Sequence, residues 1–139
     1  IYIRERKRMF KLSKKVEYAL ISISHIKSSN TDKPISVRQI SDKYNIPNEL
    51  LAKILQTLSK VQILDSIKGP KGGYRLKSSL KDLSFVEFIE ILEGPFGIAD
   101  CMVDTDCSQL LNCNIINPMD KINSKIYKVF SDIKLKQLT

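Results

Sequence analysis

The sequence predicts a mainly helical chain carrying one small β-hairpin, on three observations. Apolar residues recur at the three-and-four spacing of amphipathic helices from Val16 to Ile26, from Leu50 to Val61 and from Ile122 to Ile133. A glycine-rich stretch, Lys68-Gly69-Pro70-Lys71-Gly72-Gly73, parts two short β-prone runs. Serine-led capping patterns, Ser36 with Gln39 and Ser84 with Glu87, mark two further helix starts.

The elements follow in order. Ile1 to Arg8 have no apolar period and read as a mobile basic arm or upstream sequence, outside the fold (residues 1–8). Ser13 can cap a helix over Lys14 to about Ser28, whose buried stripe is Val16, Ala19, Leu20, Ile23 and Ile26. After the polar turn Ser28 to Pro34, the Ser36 capping box opens a short helix, Val37 to Tyr44. The break at Tyr44-Asn45-Ile46-Pro47 leads into a longer helix, with Pro47 tolerated at its start, marked by Leu50, Leu51, Ile54, Leu55, Leu58 and Val61, of which all but Val61 serve the core. Ile63–Ile67 and Tyr74–Ser78 are the expected hairpin strands. The helix Phe85 to Glu93 stops at Gly94-Pro95. Pro118 opens a last helix whose stripe Ile122, Ile126, Phe130 and Ile133, with Val129 alongside, has no later element to cover it, so a second copy of the chain is its expected partner.

At 139 residues the chain suits one compact domain with an appendage. The formal net charge of +8 is unevenly placed: residues 1–80 hold 17 Lys and Arg against 6 acids, and residues 81–139 hold 6 against 9. A basic first half suits contact with a polyanion, although a lysine-rich solvated surface has the same composition. An odd cysteine count and the lack of an apolar run near the ~20 residues of a membrane helix lead us to expect a cytoplasmic protein without membrane contact.

Cys101, Cys107 and Cys113 are all the cysteine in the chain, each separated from the next by five residues. Their surroundings are polar, including Asp100, Asp104 and Asp106, and supply little core in which to bury thiols as apolar filler. Soft thiolates gathered on one loop suit zinc or an iron-sulfur cluster. Three thiolates leave one coordination position open. An enzyme with a cysteine nucleophile is disfavoured, because there is no Cys-x-x-Cys pair and the single histidine, His25, is remote in sequence.

Three helices followed by a basic hairpin make a winged helix-turn-helix DNA-binding domain (residues 9–94), with a cysteine-rich loop (95–117) and a long C-terminal dimerisation helix and tail (118–139) beyond it. On the recognition helix Asn48, Glu49, Lys53, Gln56 and Thr57 can address base edges or phosphates. Lys68 and Lys71 arm the wing tip, and Arg38 and Tyr74 complete the candidate DNA-contact set.

Ser36-Val37-Arg38-Gln39-Ile40, the Leu50-Leu51 to Leu58 helix, Gly69-Pro70-Lys71-Gly72-Gly73-Tyr74-Arg75-Leu76, the Glu93-Gly94 helix end and the cysteine triplet together resemble the IscR/NsrR-type winged-helix repressors, the Rrf2 family. The resemblance runs from Met9 to the C terminus. It implies a homodimeric bacterial transcription regulator that binds a palindromic operator in double-stranded DNA and carries an iron-sulfur cluster, 2Fe-2S or 4Fe-4S, as a sensor of nitric oxide, redox state or iron-sulfur status. In IscR-like members a histidine three residues beyond the third cysteine completes the ligand set, and that position here is Ile116. In NsrR-like members a carboxylate near the start of the first helix of the other subunit does so, and the matching residue is Glu17, with Asp100, Asp104 and Asp106 as competitors. The family's base-reading acid and amide correspond to Ala52 and Lys53, which implies a different operator. The alternative is a regulator of the same fold whose thiols hold zinc or act without a cluster.

Overall fold

A computed structural model describes residues 12–29, 32–77, 80, 82–97 and 115–139. The elements run α1 (Lys14–Ser28), α2 (Val37–Tyr44), α3 (Asn48–Lys60), β1 (Leu64–Ile67), β2 (Gly73–Leu76), α4 (Phe85–Glu93), α5 (Ile116–Asp132) and a short α6 (Leu135–Leu138). The fold is thus mainly helical with one two-stranded antiparallel hairpin.

The helix starts obey their caps. Ser13 Oγ accepts from the Val16 N–H at 3.3 Å and donates to Glu93 Oε1 at 2.6 Å, so one side chain both starts α1 and ties it to the end of α4. Both arms of the Ser36–Gln39 box are formed, at 2.8 and 3.2 Å, and Ser84 with Glu87 repeats the arrangement at α4. The turn between α2 and α3 is closed by Ser41, whose carbonyl receives the Ile46 N–H at 3.1 Å while its hydroxyl donates to the Ile46 carbonyl at 2.6 Å. Asn45 takes the left-handed conformation (φ 54°) that its short polar side chain tolerates.

Packing follows the apolar stripes. Val16, Ala19 and Ile23 of α1, Ile40 of α2, Leu51, Leu55 and Leu58 of α3 and Phe88 of α4 meet in one core with Leu64 of the hairpin. Among the described residues no buried side-chain polar atom lacks a hydrogen-bond partner, and the buried Ser22 donates to the Tyr18 carbonyl at 2.8 Å.

Two features differ from expectation. Ile35 exchanges both backbone hydrogen bonds with Tyr74, at 2.8 and 2.7 Å, so the turn before α2 adds an isolated one-residue bridge along β2. The last helix begins at Ile116, two residues before Pro118, and ends at Asp132. A first-turn proline is tolerated because the N–H it lacks has no intrahelical partner there. Ile133 leaves the helix with extended backbone, its carbonyl accepts from the Phe85 N–H at 2.8 Å, and the Leu135 N–H donates to the Leu83 carbonyl at 2.9 Å. The expected stripe therefore splits. Phe130, Ile133 and the fully buried Leu135 pack back on the core, while Ile122 and Val129 stay exposed at 46% and 58%.

Candidate functional site

The elements that position the candidate DNA-contact residues are α2, its three-residue turn, α3 and the hairpin. Burying Leu51, Ile54, Leu55 and Leu58 turns the opposite face of α3 to solvent, where Asn48, Glu49, Lys53 and Gln56 are all exposed. Thr57 is half-buried and donates its hydroxyl proton to the Lys53 carbonyl at 3.0 Å, which leaves only its acceptor capacity outward. Arg38 is exposed on α2 and lies 3.8 Å from Asp42, a solvated i,i+4 pair that a phosphate can displace.

The hairpin has the register Leu64↔Leu76, Asp65↔Arg75, Ser66↔Tyr74 and Ile67↔Gly73. Its tip is a four-residue turn closed by the Gly72 N–H on the Gly69 carbonyl at 2.9 Å, with Pro70 in the second position. Lys68 and Lys71 are exposed at that tip. Tyr74, like Thr57, is half-buried, and it packs against the core at the base of the wing. One polar cluster has no counterpart in the motif reading. Lys77 hydrogen-bonds the Gln62 amide oxygen and lies 3.6 Å from Asp65, bracing the start of β1 against the end of β2. Gln62 sits at φ 70°, a backbone state that no sequence pattern here announces.

Cys101, Cys107, Cys113 and the competing Asp100, Asp104 and Asp106 lie outside the described residues. Among the described residues no group of three His, Cys, Asp or Glu could hold a metal ion. The chain on either side of the cysteine segment is held on one body: Phe96 packs its ring on Tyr127 (centroids 5.9 Å) and on Phe130 (5.7 Å), and Phe130 in turn meets Phe85 (5.4 Å). A cavity of about 870 Å³ opens there between the start of α1, the end of α4 and α5, with Leu12, Ile89, Phe96, Ile126 and Val129 among its walls.

Glu17 lies in the first turn of α1, where a negative charge meets the positive end of the helix dipole. Its side chain is 38% exposed and its carboxylate is held by the exposed Lys14 ammonium at 3.1 Å. The carboxylate thus has one weak, exchangeable side-chain partner and stays open to solvent. His25 is placed differently. Its Nδ1 is hydrogen-bonded to the Tyr44 hydroxyl at 2.9 Å, edge-on to that ring at 5.4 Å, near the opposite end of α1 from Glu17. Burial, and secondarily the Lys43 charge, hold its pKa below the ordinary value.

A helix-turn-helix with an open polar face, followed by a hairpin with a lysine-bearing, glycine-rich tip, defines a winged-helix DNA-binding transcription regulator rather than an enzyme. The chain belongs to the Rrf2 family: the family model, described as an iron-dependent transcriptional regulator, matches residues 12–139. It is 25% identical over 128 residues to the HTH-type transcriptional regulator IscR of Vibrio atlanticus, covering 92% of this chain and 74% of that one. It is 23% identical over 130 residues to the HTH-type transcriptional regulator NsrR of Bacillus licheniformis, covering 92% and 91%. The fold matches the structure of CymR, the global cysteine regulator of B. subtilis, with a TM-score of 0.67 at 23% identity, over 93% of this chain and 95% of that one. Among the described residues no helix is long and apolar enough to cross a membrane.

Proposed function

We propose that this chain works in the cytoplasm as a homodimeric repressor of transcription, gripping a palindromic operator with α3 and the wing and sensing nitric oxide, redox state or iron-sulfur status through an iron-sulfur cluster of 2Fe-2S or 4Fe-4S type. Residues 9–94 would carry DNA binding, 95–117 the cluster and 118–139 dimerisation, with 1–8 a basic extension. Cys101, Cys107 and Cys113 would hold the cluster in one protomer, with Glu17 of the partner subunit in the fourth position. When bound, such a cluster supplies a centre reactive toward nitric oxide and oxygen.

What supports the sensing half is the sequence, with its three evenly spaced thiols, together with an acid, Glu17, whose side chain meets only a solvated lysine among the described residues. A carboxylate is a harder, more displaceable donor than a thiolate, so Glu17 is the ligand best suited to release. Because α1 is bound to α4 through Ser13 and Glu93 and packs on α3, a pull on Glu17 acts on the body that carries the recognition helix. Asn48, Glu49, Lys53 and Gln56 would meet the groove, while Arg38, Lys68 and Lys71 meet phosphates. Lys68 keeps charge at a position where a bidentate arginine would discriminate guanine, so it anchors rather than reads.

The test is an anaerobic visible absorption spectrum with iron and sulfide analysis on the full chain, its Cys107→Ala variant and its Glu17→Ala variant. The expected result is a brown wild type, a colourless Cys107→Ala protein that retains its helical circular dichroism, and a Glu17→Ala protein of altered colour or lability. A colourless wild type holding zinc or no metal moves the reading to a cluster-free or zinc-bound thiol regulator.

A further inference from the structure

Outside the recognition helix and the wing tip, a further gathering of cations lies at the end of α1. Lys27 in the last turn of α1, Lys33 in the following turn and Arg75 on β2 line a concavity of about 300 Å³, with Ser29 and a single acid, Asp32, also on its wall. All three cations are exposed. They are brought together by the Ile35–Tyr74 pairing, which lays the turn before α2 alongside β2.

The charge on Arg75 is uncommitted for a specific reason. Its cross-strand neighbour is Asp65, but that carboxylate is taken by Lys77 at 3.6 Å, and Arg75 has no ion pair among the described residues. Burial of Tyr74 and Leu76 on the inner face turns Arg75 outward by strand alternation.

The concavity is built from chain that adjoins two of the proposed DNA-contact elements, α2 and the wing. Lys33 stands three residues before Ser36, the N-cap of α2. Arg75 stands four residues beyond Lys71 of the wing tip, at most about 14 Å along an extended strand, or about four phosphate positions at ~3.4 Å of axial rise each. A guanidinium fork beside two ammonium groups suits phosphate oxygens.

We propose that Lys27, Lys33 and Arg75 form a second contact for the DNA backbone, gripping phosphates that flank the groove engaged by α3 and the wing. The inference rests on the DNA-binding reading and adds a site to it. Such contacts are independent of sequence, so an unidentified operator is no obstacle. Binding of a fluorescent duplex of about 30 base pairs of mixed sequence is measured between about 50 and 200 mM salt, where each neutralised phosphate adds ~0.9 to the log–log slope. The Lys27→Ala, Lys33→Ala, Arg75→Ala triple variant should lose at least about two units of that slope, and Asp32→Lys, which adds charge at the same wall, should gain slope. An unchanged slope in a triple variant with wild-type circular dichroism, or in Asp32→Lys, overturns the contact even while Lys68→Ala with Lys71→Ala still weakens binding. A wild-type chain that binds no duplex at low salt overturns this contact and the DNA reading together.

Discussion

Gly72 and Gly73 show how much a single hydrogen-for-methyl exchange decides at the wing. A Cβ on Gly72 would stand 2.1 Å from the Ile67 carbonyl oxygen, and one on Gly73, at φ +155°, would stand 2.4 Å from the Ile35 oxygen. Both obstacles are backbone, so relief requires the hairpin to move. Gly73→Ala should therefore lower the unfolding free energy by about 1–3 kcal/mol, read from the urea midpoint. His25 offers a second residue-scale test. Its imidazole protonates below the ordinary 6.5 in the folded chain, first because of burial and then because of Lys43. Between the folded value and 6.5 the unfolded chain binds more protons, so stability rises with pH through that window and falls on acidification. Since this is the only histidine, thermal midpoints taken from about pH 7 to about pH 5.5 should fall in the wild type, and the slope should flatten in His25→Gln.

Among the elements, the C-terminal return is the feature with the clearest energetic consequence. Leu135 is fully buried and is the side chain by which α6 closes over the start of α4, next to the Ser84–Lys134 bridge. Leu135→Ala should cost about 2–5 kcal/mol, measured by chemical denaturation, although it lies within five residues of the chain end. Nothing in the periodicity announces this. Ile133 continues the spacing of Ile122, Ile126 and Phe130, and only the backbone bonds from Phe85 and Leu135 reveal that the helix has already stopped at Asp132. Elements set by local chemistry were legible: the capping boxes at Ser36 and Ser84, the break at Asn45 to Pro47 and the glycine-rich tip all stand where their residues put them. Features set by long-range pairing were not, as with Ile35 on Tyr74 and the Lys77–Gln62 brace. At the candidate site the outward set on α3 followed from its apolar stripe, whereas the core-packed Tyr74 and the hydroxyl commitment of Thr57 depend on neighbours that one sequence does not place.

At the scale of the whole molecule, α5 presents an exposed line. Ile122 and Val129 on the helix, with Ile115 at its N-cap, recur every seven residues and are 46%, 58% and 53% exposed, while Phe130 turns inward. Apolar residues at seven-residue spacing occupy one of the two positions per heptad that paired helices bury. Leaving the line to water costs apolar burial that a second copy can recover, which is why the proposed dimer is centred here. Replacing two members of the line by acids, Ile122→Glu with Val129→Glu, places like charges across the twofold axis and should leave the core untouched, since neither side chain is buried. Sedimentation equilibrium should then show a monomer of 15.9 kDa where the wild type shows twice that mass. Circular dichroism should be unchanged. Two half-sites bound by linked protomers gain about 10²–10⁴ in avidity over one, so the same variant should bind a duplex weaker by a factor within that range. The two readouts separate the causes: loss of mass with retained affinity would mean that one protomer suffices for DNA, and a wild type already monomeric at every concentration tested would remove the dimer from the proposed function.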